Sequence, residues 1–565
     1  METTLPNSVV HEQPLAGAAP TPTPRAPVWL RFVQHLGAIL LSLSLAAGSL
    51  WIYTRNNDFP AFNYHPDEYG KVYQLTGRMS HNFNHPLLML ESTQRMIDWL
   101  KTPNDTLSIA ITGRETSATL ASVGVFAAAM TGYLAYGFIG LLLCGTAVAL
   151  CPALMINAHF FKEDTSLICG ILLAILGARW TISARTLWTQ LSAAILLGLG
   201  CGAAASGKYV GGITILPAIA ALFLAPMKNW YALPLRVALC FIAMLITVRT
   251  VNHIAFVPGR AFELMPAAQE GFYDETHHAA EGHYGLGLRK PNSYWLRIGA
   301  SETLPHIWLM IGAGLLWWAM RPRFSRWGIA MLLFPLTFAA ILSLNTIPMA
   351  RYALPMTISF YFIGAQLASA MVVDWHKRLP RWSIAGGAVC LGAVLLVQGH
   401  RCLYLNDKFA HDSRQAFHDF VATFPAGVTV ASDNHTGLNG DAHRYPDQPP
   451  LRVRLRKDNF RNVCELAPTV DDLARQGVQY VAIADLNWAR FFDLETHGIG
   501  SGEETFQRQK KFYQDLFDRA DLVWSSTPAY PTHAWVDIDL RLYDITHLKP
   551  RTQDASSSGL QKSAS

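Results

Sequence analysis

The chain has 565 residues, of which 51% are apolar and only 15% charged, with a formal net charge of +5. An ordinary soluble domain carries about 25% charged residues, so this composition excludes a wholly soluble globular protein and points to membrane segments averaged with polar ones. The Lys and Arg residues are scattered and form no stripe, which argues against nucleic acid as a partner.

Residues 1–27, rich in Pro, Thr and Ala and without periodicity, read as a disordered cytoplasmic tail. The first apolar run starts near Trp29 and is long enough to span a bilayer, so it reads as an uncleaved signal anchor. Runs suited to spanning helices lie near 31–53, 108–131, 135–157, 165–180, 188–206, 209–226, 232–250, 299–320, 327–345, 352–373 and 382–399. That is about eleven spans in a membrane domain covering 28–400. With the N-terminus inside, the inner loops hold ten basic residues: Arg179, Arg185, Lys228, Arg236, Arg321, Arg323, Arg326, Lys377, Arg378 and Arg381. The short outer loops hold only Lys162, Lys208 and Arg351. This asymmetry follows the positive-inside rule and predicts an inner (plasma) membrane protein with a cytoplasmic N-terminus and an extracytoplasmic, in a Gram-negative cell periplasmic, C-terminal part.

Three long polar segments then fall outside: 54–107, 251–296 and everything after about residue 400. The third contains GVTVASDN (427–434), VDDLARQGVQYVAIAD (470–485) and AWVDIDLRLYDI (534–545). Short β-branched runs alternating with a helical stretch predict a small α/β domain over 401–548. The Ser-rich end, 549–565, reads as a disordered tail. Six of the eight Cys lie within apolar runs and behave as small hydrophobes. Cys402 and Cys464 fall in the polar part, where an oxidising compartment would permit a disulfide between them.

Chemistry concentrates in the outer segments. The first contains His65, Asp67, Glu68, Tyr69 and, further on, Asn84, His85, Pro86 and Leu87. Apolar residues recur there at helical spacing (Val72, Leu75, Met79; Leu88, Met96, Trp99), which predicts amphipathic helices lying in the membrane interface. Asp67 and Glu68 open the first of these, and an acidic pair there also suits a helix N-terminus. Lys162, Glu163 and Asp164 precede the fourth span, Lys208 lies between the fifth and sixth, and Arg351 with Tyr352 opens the tenth. A basic side chain at a helix end can snorkel to lipid phosphates, but loops otherwise nearly free of charge suggest a site. An ammonium at Lys208 and a guanidinium fork at Arg351 match phosphate oxygens, with Lys162 as a further candidate. Arg114 and Glu115, inside the second span, are expected to pair internally. His277, His278, Glu281 and His283 fit no common zinc spacing. Their loop reads either as solvent-exposed or as a lid. No phosphate-binding loop or dinucleotide fingerprint supports use of a nucleotide sugar.

The motifs HPDEYGKVYQL (65–75), NHPLLML (84–90), FFKEDTSL (160–167), SGKYVGG (206–212) and MARYALP (349–355) together resemble, over roughly residues 30–400, the GT-C membrane glycosyltransferases. The resemblance is to the protein mannosyltransferase and aminoarabinose transferase superfamily, which uses polyprenyl-phosphate sugars. It implies a mainly α polytopic GT-C fold and a sugar transferred from the lipid carrier to an envelope lipid, glycan or protein. It further implies Asp67 as the catalytic base of an inverting reaction; Glu68 is a secondary catalytic candidate, to share the acceptor, orient it or bind a divalent metal. Asp164 would correspond to a second acidic residue that positions acceptor or sugar, against a simpler role in capping the fourth helix. His85 stands where relatives place a basic residue before a Pro-Leu pair, and contact with phosphate there would depend on its protonation. No cofactor is required by the motifs. A transporter or flippase for a lipid-linked glycan, and a non-catalytic relative, are the competing readings. A transporter would carry functional charges near the midplane of several spans, whereas here they gather at one face.

Overall fold

The computed structural model describes residues 27–58, 65, 67–226, 231–281, 293–320, 325–344, 350–438, 451–456, 462–493, 496, 498, 502–528 and 536–548, without the side chains of 278–281 and 350. Most of both expected disordered tails lies outside the described residues.

The membrane part is a bundle of helices: α1 (Val28–Thr54), α2 (Asp67–Leu75), α3 (Leu88–Leu100), α4 (Thr106–Ala149), α5 (Pro152–Ala158), α6 (Asp164–Ser183), α7 (Leu187–Gly207), α8 (Ile215–Leu224), α9 (Ala232–Val251), α10 (Pro266–Glu281), α11 (Tyr294–Glu302), α12 (Pro305–Met320), α13 (Arg326–Leu344), α14 (Leu354–His376), α15 (Pro380–Ala393), α16 (Gly399–Ala410) and α17 (Ser413–Ala422). Among the described residues, eight helices are long and apolar enough to cross a membrane, or nine if the bent pair α11–α12 is one span. The chain is a multi-pass membrane protein.

The difference from the expected eleven has two sources. Runs 108–131 and 135–157 both begin within α4, counted once although two helical arms meet in it, and run 209–226 forms only the shorter apolar stretch Tyr209–Leu224. α4 is nevertheless not straight. Tyr136 and Gly137 leave the helical region, and Gly137 has φ 67° and ψ −153°. Gly132 and Gly140 then meet backbone to backbone, so that a Cβ on either would collide with the other. A straight helix would hold them about 12 Å apart, so the chain reverses here. The Arg179 side chain holds the bend, its Nε donating to the Leu134 carbonyl at 3.1 Å.

Small residues set the helix packing. Gly170 of α6 faces the Ala203–Ala204 backbone of α7, and Gly200 of α7 faces the Leu173–Ala174 backbone of α6. Hydrophobic exclusion does not drive helices together in lipid, so close backbone approach and dispersion hold them. The helix starts are marked locally: Asp105 accepts from the Ser108 amide at 2.9 Å, and Thr186 and Thr189 form a reciprocal cap.

The C-terminal part is a five-stranded sheet of β1 (Thr429–Ser432), β2 (Arg454–Arg456), β3 (Tyr480–Ala484), β4 (Asp521–Ser526) and β5 (Leu540–Asp544) in the order β2-β1-β3-β5-β4. β1 runs parallel to β2 and β3, and β5 is antiparallel to β3 and β4. Alternate residues feed two cores. Ala431, Val481, Ile483 and Tyr543 pack with Val470, Leu473 and the helix Gly502–Arg519. Val430, Ala482, Leu540 and Leu542 pack with Phe417 and Val421 of α17. The last helical segment of the membrane part therefore belongs to the core of the sheet. Tyr404 reinforces the joint by donating to Asp537 at 2.8 Å.

This arrangement separates the two cysteines of the polar part, between which a disulfide was permitted. Cys402 is buried in the membrane core and donates to the Leu150 carbonyl at 3.3 Å, whereas Cys464 is buried under the sheet beside Tyr513. Both are free thiols, and each belongs to a different hydrophobic core.

Candidate active site

The short helix α2 divides the acidic pair. His65 accepts from the Asp67 amide at 3.2 Å through Nδ1, fixing the start of the helix. Adjacent residues point about 100° apart on a helix, so Asp67 and Glu68 face different surroundings. Asp67 is 31% exposed. Glu68 is fully buried, and Arg114 reaches it with Nε at 2.8 Å and Nη2 at 2.7 Å, while the Phe161 amide donates to it at 3.3 Å. Arg114 also donates to the Asn57 carbonyl at 2.9 Å. The internal pairing expected of Arg114 is thus made with Glu68 and not with its neighbour Glu115. Both Glu68 oxygens are engaged by Arg114 inside a fully buried pair, an arrangement that suits a structural partner.

The three charged residues before α6 diverge in the same way. Lys162 donates to Asp67 at 2.5 Å and lies 3.8 Å from Asp164. Asp164 accepts from Lys208 at 2.8 Å. The α6 start carries no side-chain cap, so Asp164 faces the cations and not its own helix. Lys208, the residue that ends α7, stands 4.8 Å from the centre of the Tyr352 ring. Arg351 lies 5.5 Å from that ring and places a guanidinium nitrogen 3.6 Å from Asp67. The face of an aromatic ring attracts cations, so Tyr352 brings Lys208, more than a hundred positions earlier in the chain, beside its own neighbour Arg351.

Three cations meet two carboxylates here, leaving one positive charge in excess. The Nε of Arg351 and one oxygen of Asp164 are buried without a hydrogen-bond partner, and both belong to this cluster. Burial pushes the Asp67 carboxyl up, but Lys162 and Arg351 outweigh it and hold the group well below the usual carboxylate range. The surrounding cations thus outweigh burial and weaken Asp67 as a base. Burial, with Arg351 nearby, pushes Lys162 down to about 8 against the opposing pull of Asp67 and Asp164.

Next to this cluster lies a second polar group. Lys71, one turn after Asp67, pairs with Glu163 at 2.9 Å. The other Glu163 oxygen lies 3.9 Å from His85 Nε2, and His85 Nδ1 lies 4.0 Å from Glu275 of α10. His85 stands between these two carboxylates. α10 is seated close to it: Gly271 touches the Asn82–Phe83 backbone, and Phe272 packs edge-on against Tyr209 at 5.0 Å. Tyr209, beside Lys208, donates to the Phe83 carbonyl at 2.7 Å.

The residues brought together are Asp67, Lys162, Asp164, Lys208, Arg351 and Tyr352, with His85 alongside and Glu68 turned away. Sequence reasoning did not single out Lys71, Glu163 or Glu275 as site residues. For Lys71 the i,i+4 spacing from Asp67 was a usable signal; for Glu275 none existed. Among the described residues no group of three or more His, Cys, Asp or Glu side chains has the arrangement of a metal site. His277 stacks on Tyr273 at 3.6 Å; the side chains of His278 and Glu281, and His283 as a whole, lie outside the described residues.

No family model and no curated protein matches the chain. Among solved structures it is similar to ArnT from Cupriavidus metallidurans bound to undecaprenyl phosphate, with 13% identity, 90% of this chain and 98% of that one covered, and a TM-score of 0.47. It is similar also to the oligosaccharyltransferase AglB from Archaeoglobus fulgidus in complex with an inhibitory peptide and a dolichol-phosphate (9% identity, 89% and 80% covered, TM-score 0.46). A third similarity is to the S. cerevisiae protein O-mannosyltransferase Pmt1-Pmt2 complex bound to the sugar donor, at 16% identity, with 45% of this chain and 36% of that one covered and a TM-score of 0.32.

Proposed function

We propose that the protein is an inverting glycosyltransferase that moves a sugar from a polyprenyl-phosphate carrier to an envelope lipid, glycan or protein on the outer face of the inner membrane. The observation that carries this reading is the convergence of Lys162, Lys208 and Arg351, from three separate loops, on Asp67 and Asp164 with one positive charge in excess. A site with that balance suits an anion that leaves, and the phosphate of a lipid carrier has both the charge and the membrane location.

In the proposed reaction the acceptor oxygen attacks the anomeric carbon as the bond from that carbon to the phosphate oxygen breaks. The electron pair leaves with the phosphate, where Lys208, Arg351 and Lys162 stabilise it, and the acceptor proton passes to Asp67. Asp67 is a weak base while Lys162 and Arg351 hold it. An incoming phosphate competes for the same cations, and each contact transferred from Asp67 to phosphate makes the carboxylate more basic. Asp164 keeps Lys208 in place and Tyr352 supports both of the cations that flank it.

The test is transfer from radiolabelled polyprenyl-phosphate sugars to envelope extract by the purified full-length protein. Asp67→Asn should lower the rate about 10²- to 10⁴-fold, the usual contribution of a positioned base. Lys208→Ala should weaken both donor binding and transfer. A correctly inserted Asp67→Asn protein that transfers sugar like the parent overturns the assignment.

A further inference from the structure

Beside the proposed phosphate site, the Glu163–His85–Glu275 group has a construction that the charge cluster does not account for. The Glu163 side chain is 3% exposed and its Oε2 has no hydrogen-bond partner; His85 Nδ1 is buried and lacks one as well. The separations from His85 to the two carboxylates, 3.9 and 4.0 Å, are too long for direct hydrogen bonds. They suit a bridging oxygen, since one atom can stand at about 2.8 Å from both ends of such a gap. Burial holds the His85 imidazole below its usual range in spite of Glu163, so near neutrality the ring carries a single N–H. In the gap where that N–H lies, a hydroxyl accepts from the ring and donates to the carboxylate. A phosphate oxygen brings no proton and meets carboxylate repulsion on both sides.

Resting on the glycosyltransferase reading, we infer that Glu163, His85 and Glu275 form a recognition subsite for hydroxyl groups of the sugar carried by the donor, separate from the cations that take its phosphate. Lys71 positions Glu163 by holding its other oxygen at 2.9 Å. The group meets the surface at its rim, the His85 and Glu275 side chains being 25% and 27% exposed, while Glu163 Oε2 and His85 Nδ1 are themselves buried. It adjoins the reacting centre, because Glu163 lies between Lys162 and Asp164 in sequence and Lys71 donates to the Asp67 carbonyl at 3.3 Å. α10 closes the far side through Glu275, which makes this outer segment a determinant of sugar choice.

The experiment measures binding of two ligands to the full-length protein in lipid nanodiscs: polyprenyl phosphate without sugar, and the same lipid carrying a hexose. Glu163→Gln and Glu275→Gln are compared with the parent, and Glu275→Gln, on the partly exposed α10, serves if Glu163→Gln fails to fold. Each variant should bind the sugar-free lipid as the parent does and the hexose-bearing lipid about ten- to a hundredfold more weakly, the range for losing a hydrogen bond to a charged group. Equal weakening for both ligands assigns the residues to the phosphate or to the fold and overturns the subsite, as does unchanged binding of both. A parent protein that binds neither lipid overturns the glycosyltransferase reading itself, a result distinct from either of these.

Discussion

At the residue scale, two neighbouring carboxylates have opposite fates because a helix turns them to different partners. Glu68 is fully buried against Arg114, while Asp67, itself 31% exposed, meets Lys162 and Arg351. Glu68→Gln leaves a buried guanidinium without its counter-charge, which costs about 3–5 kcal/mol in comparable buried pairs. It should lower the melting temperature of the detergent-solubilised protein markedly, whereas Asp67→Asn should leave it nearly unchanged. Lys162 supplies the pH dependence. With its ammonium pushed down to about 8, it is charged below that pH and loses its proton as the pH rises through it. Affinity for polyprenyl phosphate should therefore fall across pH 8, and Lys162→Arg, which stays protonated, should remove that alkaline limb in a binding titration.

At the scale of elements, glycines do work that no polar motif reveals. The Gly170 and Gly200 contacts let α6 and α7 approach closely, and the pair holds Asp164, which starts α6, against Lys208, which follows α7. Gly170→Leu forces the helices apart at Ala204, four residues from Lys208. It should cost several-fold in donor affinity while the charged residues remain intact, measurable by titration with polyprenyl phosphate. The bend at Tyr136–Gly137 shows why hydropathy described α4 well as two apolar runs. The chain there reverses without a polar loop, so helical hydrogen bonding resumes within two residues. α10 was legible only as a histidine-bearing polar loop, since its mean polarity hides a helix whose seat is a backbone contact at Gly271.

At the scale of the molecule, the candidate residues gather at one end of the bundle, and the sheet is joined to the same end through α16 and α17. The positive-inside count then predicts that this end faces out of the cytoplasm. Protease added to spheroplasts should cut the C-terminal domain; protection there would invert the topology and with it the proposed use of an external acceptor.

The sequence by itself determined the membrane character, the helical runs, the α/β end and the identity of most charged residues in the site, because apolar length, periodicity and sparse loop charges are local properties. Of the strands, those in GVTVASDN, VQYVAIAD and DLRLYDI were legible, while β2 and β4 were not, since Arg454–Arg456 is only three residues long and Asp521–Ser526 is largely exposed. Only the tertiary structure decided which charges oppose one another. It turned Glu68 inward to Arg114, set Asp67 among cations that lower its basicity, placed His85 between Glu163 and Glu275, and kept Cys402 and Cys464 in separate cores. Each of these depends on partners far away in the chain, and electrostatic environment is a property of distance in space, which loop composition does not encode.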